Sequence, residues 1–267
     1  NNFCGIEGQD LDTAKVVILP VPYEGTVSYG SGTATGPEAI IQASRHMELY
    51  DIELEKESYS KPGIFTLKPL VVGSLPAEKM IEKVEKIYTD LMAKEKFVVI
   101  LGGEHSISYS VDKILREKYP DLSVLQWDAH ADLRDSWEGT PFSHACAMRR
   151  FYYHGKKIVQ VGVRSMSKEE AEFIKENKLE KNIFSPTRFG QTKIKKEKMI
   201  KEVLNRLSQH VYVTVDMDGF DPSVFPATGT PEPGGLYWPD FLALMRAVFQ
   251  TKNVVGCDVV ELAPING

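Results

Sequence analysis

Along the chain, short unbroken apolar runs rich in β-branched residues alternate with stretches whose apolar positions recur at helical spacing. The runs are 16–19, 97–101, 122–127, 158–163, 211–215 and 254–260. Continuous hydrophobicity, rather than in-out alternation, predicts strands covered on both faces, as in a parallel sheet. Between them, 77–96 places Met80, Ile81, Val84, Ile87, Tyr88, Leu91 and Met92 on one helical face and leaves Lys and Glu on the other. Pro37 opens a predicted helix over 38–50, and Pro239 opens another over 240–249. Ser167 with Glu170 makes a capping box for a helix to about residue 177, and 197–207 forms a further helix. This alternation predicts an α/β fold around a mainly parallel sheet. No repeat, low-complexity tract or long linker interrupts it, so 1–267 reads as a single domain.

Composition narrows the function. With 267 residues, 42% of them apolar, the chain can bury a large core, which excludes fibrous and disordered classes. Lys and Arg number 32 against 37 Asp and Glu, a formal net charge of −5. The one basic stretch, 193–201, is interrupted by Glu197, so no nucleic-acid partner is expected. The apolar runs fall far short of the roughly 20 residues a bilayer crossing takes. No leader-like pattern precedes residue 15, and a soluble, cytoplasmic protein is expected. Cys4, Cys146 and Cys257 are too scattered for a disulfide framework or a zinc pair and read as free thiols. The loop 25–36 carries glycines at 25, 30, 32 and 36 but lacks the Gly-Lys-Ser/Thr of a phosphate loop; it reads as a flexible wall of a site.

The chemistry collects after the strands, where parallel α/β sheets bind their ligands. Gly102-Gly103-Glu104-His105-Ser106 follows the run 97–101, and Asp128-Ala129-His130-Ala131-Asp132 follows 122–127. Asp216-Met217-Asp218-Gly219-Phe220-Asp221-Pro222 follows 211–215, and the last run leads into Glu261. Taken singly, each has an ordinary explanation: His105 as a first-turn helix residue, Asp216 and Asp218 as turn acids, Glu261 as a surface acid. Taken together they do not. Asp128, His130 and Asp132, spaced i, i+2, i+4 on an extended segment, share one side, and Asp216 and Asp218 share the same parity. Such concentrated charge is costly to bury unless cations neutralise it. Four carboxylates and two imidazoles exceed one tetrahedral site, whereas two ions can share bridging carboxylates and hold a water between them. A dinuclear hydrolytic centre follows, and the mixed oxygen and nitrogen donors favour Mn²⁺.

These segments resemble the ureohydrolase family of arginases and agmatinases, whose Gly-Gly-Asp-His, Asp-Ala-His-x-Asp and Asp-x-Asp-x-x-Asp-Pro pattern is matched in order and spacing. The likeness extends to Pro37, to Pro226-Ala227-Thr228-Gly229-Thr230-Pro231 and to Val260-Glu261, covering about 16–263. It implies an arginase-type three-layer α/β/α sandwich and two Mn²⁺ per chain. His105, Asp128, Asp132 and Asp216 would hold the first ion, and His130, Asp128, Asp216 and Asp218 the second, with Asp128 and Asp216 bridging. Catalytic roles would fall to His144, Glu261 and Asp132. His144, titrating near neutral pH, would shuttle protons, and Glu261 would orient the guanidinium in the fork geometry carboxylates accept. Thr230 would join them in binding substrate. The resemblance also implies a homotrimer or homohexamer, and a C-terminal helix beyond Glu261 that 1–267 is expected to lack. Two positions depart from the pattern. Glu104 replaces the usual aspartate and is expected to serve as a helix-start acceptor, and Ala145-Cys146 follows His144, with Cys146 expected to be a packed thiol.

The substrate tail would be read by the loop between Asp132 and His144. Arg134 stands where arginases carry an asparagine that helps to clamp the α-carboxylate, and Asp135 or Glu138 would attract a terminal ammonium. The expected substrate is thus a small cationic guanidino compound, agmatine first, giving putrescine and urea. N1-aminopropylagmatine, arginine and guanidinobutyrate are the alternatives of the same chemistry. A catalytically silent binding protein and a one-metal zinc deacetylase are the alternatives of other classes.

Overall fold

The computed structural model describes residues 2–189 and 193–265. In chain order its elements are β1 (Val16–Val21), α1 (Gly36–Ser44), β2 (Ile64–Thr66), α2 (Ala77–Ala93), β3 (Phe97–Gly102), α3 (Asp112–Lys118), β4 (Ser123–Trp127) and α4 (Ala147–Tyr153). They continue as β5 (Lys157–Val161), α5 (Lys168–Glu176), β6 (Ile183–Phe184), α6 (Pro186–Phe189), α7 (Lys193–Arg206), β7 (His210–Asp216), α8 (Trp238–Thr251) and β8 (Asn253–Val260). The eight strands form one sheet in the order β2-β1-β3-β8-β7-β4-β5-β6. Every strand pairing in it is parallel.

Alternation along the strands feeds two layers. Val124, Ile158 and Tyr212 point into one core with Met80, Val84 and Tyr88 of α2, Phe151 of α4 and Phe173 of α5. Their neighbours Leu125, Trp127, Val159, Val161, Val211, Val213 and Val215 point into the other, with Val203 of α7 and Leu244 and Val248 of α8. Ile18 and Leu101 meet Ile41 of α1 in a smaller third cluster. Both faces are therefore covered, as the unbroken apolar runs require, and the result is the three-layer α/β fold expected from the sequence.

All six expected strands and the helices of 77–96, 168–177 and 240–249 are present, with ends shifted by a few residues. Ser167 and Glu170 form the capping box read from the sequence. The helix expected over 38–50 stops at Ser44, whose hydroxyl accepts from the Cys4 amide at 2.8 Å and donates to the Ile41 carbonyl at 2.7 Å. Met47 and Tyr50, which would have continued the apolar face, are exposed, so no packing supports further turns. The helix of 197–207 starts earlier, at Lys193. The short edge strands β2 and β6 and the helices α3, α4 and α6 carry no pattern long enough to signal them.

Candidate metal centre

β3, β8, β7 and β4 are consecutive neighbours in the sheet, although the chain visits them far apart. Their carboxyl ends deliver His105, Glu261, Asp216 with Asp218, and Asp128 with His130 and Asp132 to one place. Gly103 is what lets the first segment pass: a Cβ there would sit 1.9 Å from the Tyr23 carbonyl oxygen. Glu104 then starts a 3-10 turn as expected, accepting from the Ser106 amide at 2.7 Å and the Thr26 hydroxyl at 2.7 Å.

The Asp-Ala-His-x-Asp segment is not a continued strand. Regular pairing ends at Trp127, and Asp132 adopts a left-handed φ of 51°. Its carbonyl accepts from the Met148 and Arg149 amides at 3.1 Å, which ties this bend to the first turn of α4. Asp128 is fixed from below by the Gln126 amide group at 2.6 Å, itself held by Gln160. Asp218 accepts from the Ala129 amide at 3.0 Å and the Thr230 hydroxyl at 3.2 Å.

Two groups of imidazole and carboxylate result among the described residues: His105 with Asp128 and Asp132, and His130 with Asp128 and Asp218. His105 Nδ1 lies 3.1, 2.9 and 3.3 Å from carboxylate oxygens of Asp128, Asp132 and Asp216. His130 Nδ1 lies 2.9 Å from Asp218 and 3.7 Å from Asp128. Asp128 is thus common to both groups, and all of these side chains except the half-buried His130 are nearly inaccessible.

The charge in this cluster is unbalanced. Burial and the neighbouring Asp128 push the Asp132 carboxyl up to about 7, and burial with the charges of Asp218 and Asp128 raises Asp216 well above the carboxylate range. Burial and Glu104 do the same to Glu261. Burial opposes protonation of His130, yet Asp128 and Asp218 draw it up to about 12. Burial likewise opposes it at His105, and Asp128, Asp132 and Asp216 overcome that. Carboxylates that pull protons onto themselves and onto buried imidazoles are short of positive charge. His105 Nδ1 is also a buried nitrogen without a hydrogen bond, despite its three carboxylate neighbours. A divalent cation supplies what both observations lack, and the donor set of carboxylate oxygen and imidazole nitrogen suits one.

A cavity of about 240 Å³ opens on the cluster, lined by His105, Asp132, His130, Asp216, Asp218 and Glu261 and also by His144 and Thr230. The sequence therefore named the residues that the fold assembles here. His144 is held at the wall, its amide donating to Thr26 Oγ1 at 3.0 Å. Its expected titration near neutral pH is corrected: burial, with the neighbouring imidazoles, pushes it down to about 4. Cys146 is a packed thiol pushed up to about 12 by burial.

The tail-reading acids are also corrected. Asp135 is exposed and paired with Arg150 at 2.7 Å, and exposed Glu138 sits in a turn at a left-handed φ of 48°. Neither lines the cavity; Arg134 and Trp137 of the same loop do, the guanidinium stacked 4.3 Å from the ring. Missed from the sequence were Ser28, Ser165, Met166 and Glu170. Glu170 was visible only as a helix cap; it reaches the rim from the first turn of α5, the helix that follows β5.

Comparison with known proteins gives concordant findings. The model of the arginase family matches residues 14–267. An N(1)-aminopropylagmatine ureohydrolase of Synechocystis is 40% identical over 260 residues, spanning 95% of this chain and 83% of that protein. An agmatinase of Bacillus cereus is 37% identical over 266 residues, spanning 96% and 86%. The crystal structure of the agmatine ureohydrolase of Thermoplasma volcanium superposes with a TM-score of 0.87 at 32% identity, over 99% of this chain and 87% of that one.

Proposed function

Because the chain belongs to the arginase family, we propose that it hydrolyses the guanidinium C–N bond of a small amine-tailed guanidine, agmatine first, releasing urea and a diamine. The observation that carries this is the convergence of four neighbouring strand ends on two imidazole-carboxylate groups beside Glu261, in a cavity sized for a slender ligand. In this reading His105, Asp128, Asp132 and Asp216 would hold one Mn²⁺, and His130, Asp128, Asp216 and Asp218 the other. When bound, two such ions would supply a water acidic enough to act as nucleophile near neutral pH.

The chain's own side chains do the rest. Glu261 accepts N–H bonds from the guanidinium and turns its carbon toward the cluster. Its other task is internal: Oε1 accepts from the His105 amide at 2.8 Å, which fixes the carboxylate's direction. His144, neutral at pH 7, is available to accept a proton and return it to the departing amine. Thr230 holds Asp218 while facing the cavity.

Glu170 replaces Asp135 and Glu138 as the tail acid. It is 4% exposed, faces the cavity, accepts from the Leu133 and Ser167 amides at 2.9 and 2.7 Å, and makes no ion pair with another described residue. A carboxylate so placed is free to receive a substrate ammonium. The relative from Synechocystis favours a second reading, in which the tail is extended to that of N1-aminopropylagmatine.

The test is urea release by Mn²⁺-loaded protein with agmatine, N1-aminopropylagmatine, arginine and butylguanidine at equal concentration. Amine-tailed guanidines are expected to exceed butylguanidine by roughly 10- to 100-fold in kcat/KM, the worth of a charged hydrogen bond. Release from none of the four by protein holding two metals would refute the assignment.

A further inference from the structure

Asp258 is a carboxylate at 0% exposure on β8, beneath the metal-facing cluster, with no part in the chemistry above. Both of its oxygens are engaged from the adjacent strand β7: the Tyr212 hydroxyl donates to Oδ2 at 2.7 Å and the Thr214 hydroxyl to Oδ1 at 2.6 Å. Thr214 Oγ1 is in turn 2.8 Å from His105 Nε2. A threonine hydroxyl has a single proton, and here it goes to Asp258. Toward His105 the hydroxyl can therefore only accept, and the imidazole must present Nε2–H. Nδ1 is then the nitrogen left facing Asp128, Asp132 and Asp216, a buried atom with no hydrogen bond of its own, and it is the one whose lone pair a cation would take on displacing its proton.

We infer that Thr214, aligned by Asp258, is a positioning residue that fixes His105 as the Nε2–H tautomer and so commits Nδ1 to a metal ion. The inference rests on reading His105 as a metal ligand. Hydrogen-bonded partners behind a ligating histidine set its tautomer and ring orientation, and losing one typically costs 10- to 100-fold in metal affinity. Here the partner is a hydroxyl relay across two strands rather than a carboxylate in direct contact. Strand register explains the placement: Thr214 pairs with Asp258 in the β7–β8 ladder, so backbone pairing brings the two side chains together.

The experiment uses diamagnetic Zn²⁺ and protein labelled with ¹⁵N-histidine. In the wild type, the His105 ring is expected to show a protonated Nε2, protected from solvent exchange, and a metal-shifted Nδ1. Thr214→Val, close in shape but without the hydroxyl, is expected to weaken Zn²⁺ binding 10- to 100-fold by calorimetry, and Thr214→Ser to restore it. Tyr212→Phe removes the other hydroxyl bond to Asp258 and is expected to bind Zn²⁺ within a few-fold of wild type. The inference is overturned by a metal-bound Nε2, by wild-type affinity in Thr214→Val, or by equal losses in Thr214→Val and Tyr212→Phe, which would mark a packing effect. Failure of the wild type to bind Zn²⁺ at all would instead overturn the metal-centre reading itself.

Discussion

The amide of His105 donates to Oε1 of Glu261 at 2.8 Å, joining residues 156 positions apart in sequence. The bond exists because β3 and β8 are parallel neighbours, so the segments that leave them run side by side. It also separates two duties of one carboxylate. Glu261→Gln keeps an oxygen for the His105 amide but loses the charge that a guanidinium would meet. Metal content should stay at wild-type level while kcat/KM for agmatine falls roughly 10- to 100-fold. Metal analysis beside a urea assay checks this, and an unchanged kcat/KM would remove Glu261 from substrate binding.

Asp128 faces both imidazoles, with Oδ2 3.1 Å from His105 Nδ1 and Oδ1 3.7 Å from His130 Nδ1, whereas Asp218 approaches only His130. Their alanine variants should therefore differ in stoichiometry. Asp128→Ala is expected to lose both ions and all urea release. Asp218→Ala is expected to keep about one equivalent by equilibrium dialysis against Mn²⁺ while also losing turnover, because the donors around His105 remain. Two ions retained in Asp128→Ala would sink the shared-ligand assignment.

The imidazoles and carboxylates proposed to hold metal were legible as a candidate cluster because each lies within a few residues of a strand end, and strand ends are what unbroken apolar runs reveal. Their pairing was not legible from local pattern: it depends on the order β3-β8-β7-β4, which brings together segments remote in the chain. The bend at Asp132 was invisible for a different reason. Its left-handed φ is imposed by two amides of α4, a helix the pattern did not signal. Asp135 and Glu138 are close to the cluster only in sequence: an antiparallel bridge between Trp137 and Thr140 folds that loop and leaves Asp135 with Arg150. Glu170 carries two roles on one carboxylate, capping α5 and facing the cavity, and local sequence pattern signals only the first.

His144 is fixed through its backbone by Thr26 and touches none of the metal-facing carboxylates at hydrogen-bonding distance. His144→Ala should therefore leave two ions bound and lower kcat by about 10²- to 10⁴-fold, the usual worth of a positioned acid-base group. The pH profile gives the sharper test. With its titration pushed down to about 4, His144 should produce no loss of kcat near pH 6.5 in protein kept saturated with Mn²⁺. A wild-type limb at pH 6.5 that vanishes in His144→Ala would contradict the half-buried, neutral imidazole.

Metal-free protein should become less stable as pH rises, and ions should abolish that trend. Without cations, Asp132 titrates at about 7 instead of its ordinary 3.8, and His130 at about 12 instead of 6.5. Both values are raised on folding, so across pH 4 to 7 the native state holds the Asp132 proton that the unfolded chain has released. Above pH 6.5 it likewise holds the His130 proton. Where the native state binds more protons, stability falls with increasing pH. Asp216 and Glu261, both raised, act in the same direction. Asp128, which His105 and His130 hold low despite its burial, contributes stability that is already complete above 3.8 and does not change in this range. His144 opposes the trend, but only between 6.5 and about 4 and for one proton. Binding Mn²⁺ must expel these protons, so apparent affinity rises with pH and loading releases acid. Calorimetric melting from pH 5 to 8.5 is expected to show a falling Tm for the metal-free protein and a level or rising Tm with excess Mn²⁺. Titration in two buffers of different ionisation heat should count the released protons. A metal-free Tm that climbs through pH 7, or ion binding without proton release, would mean that the carboxylates around His105 and His130 do not share the excess negative charge assigned to them.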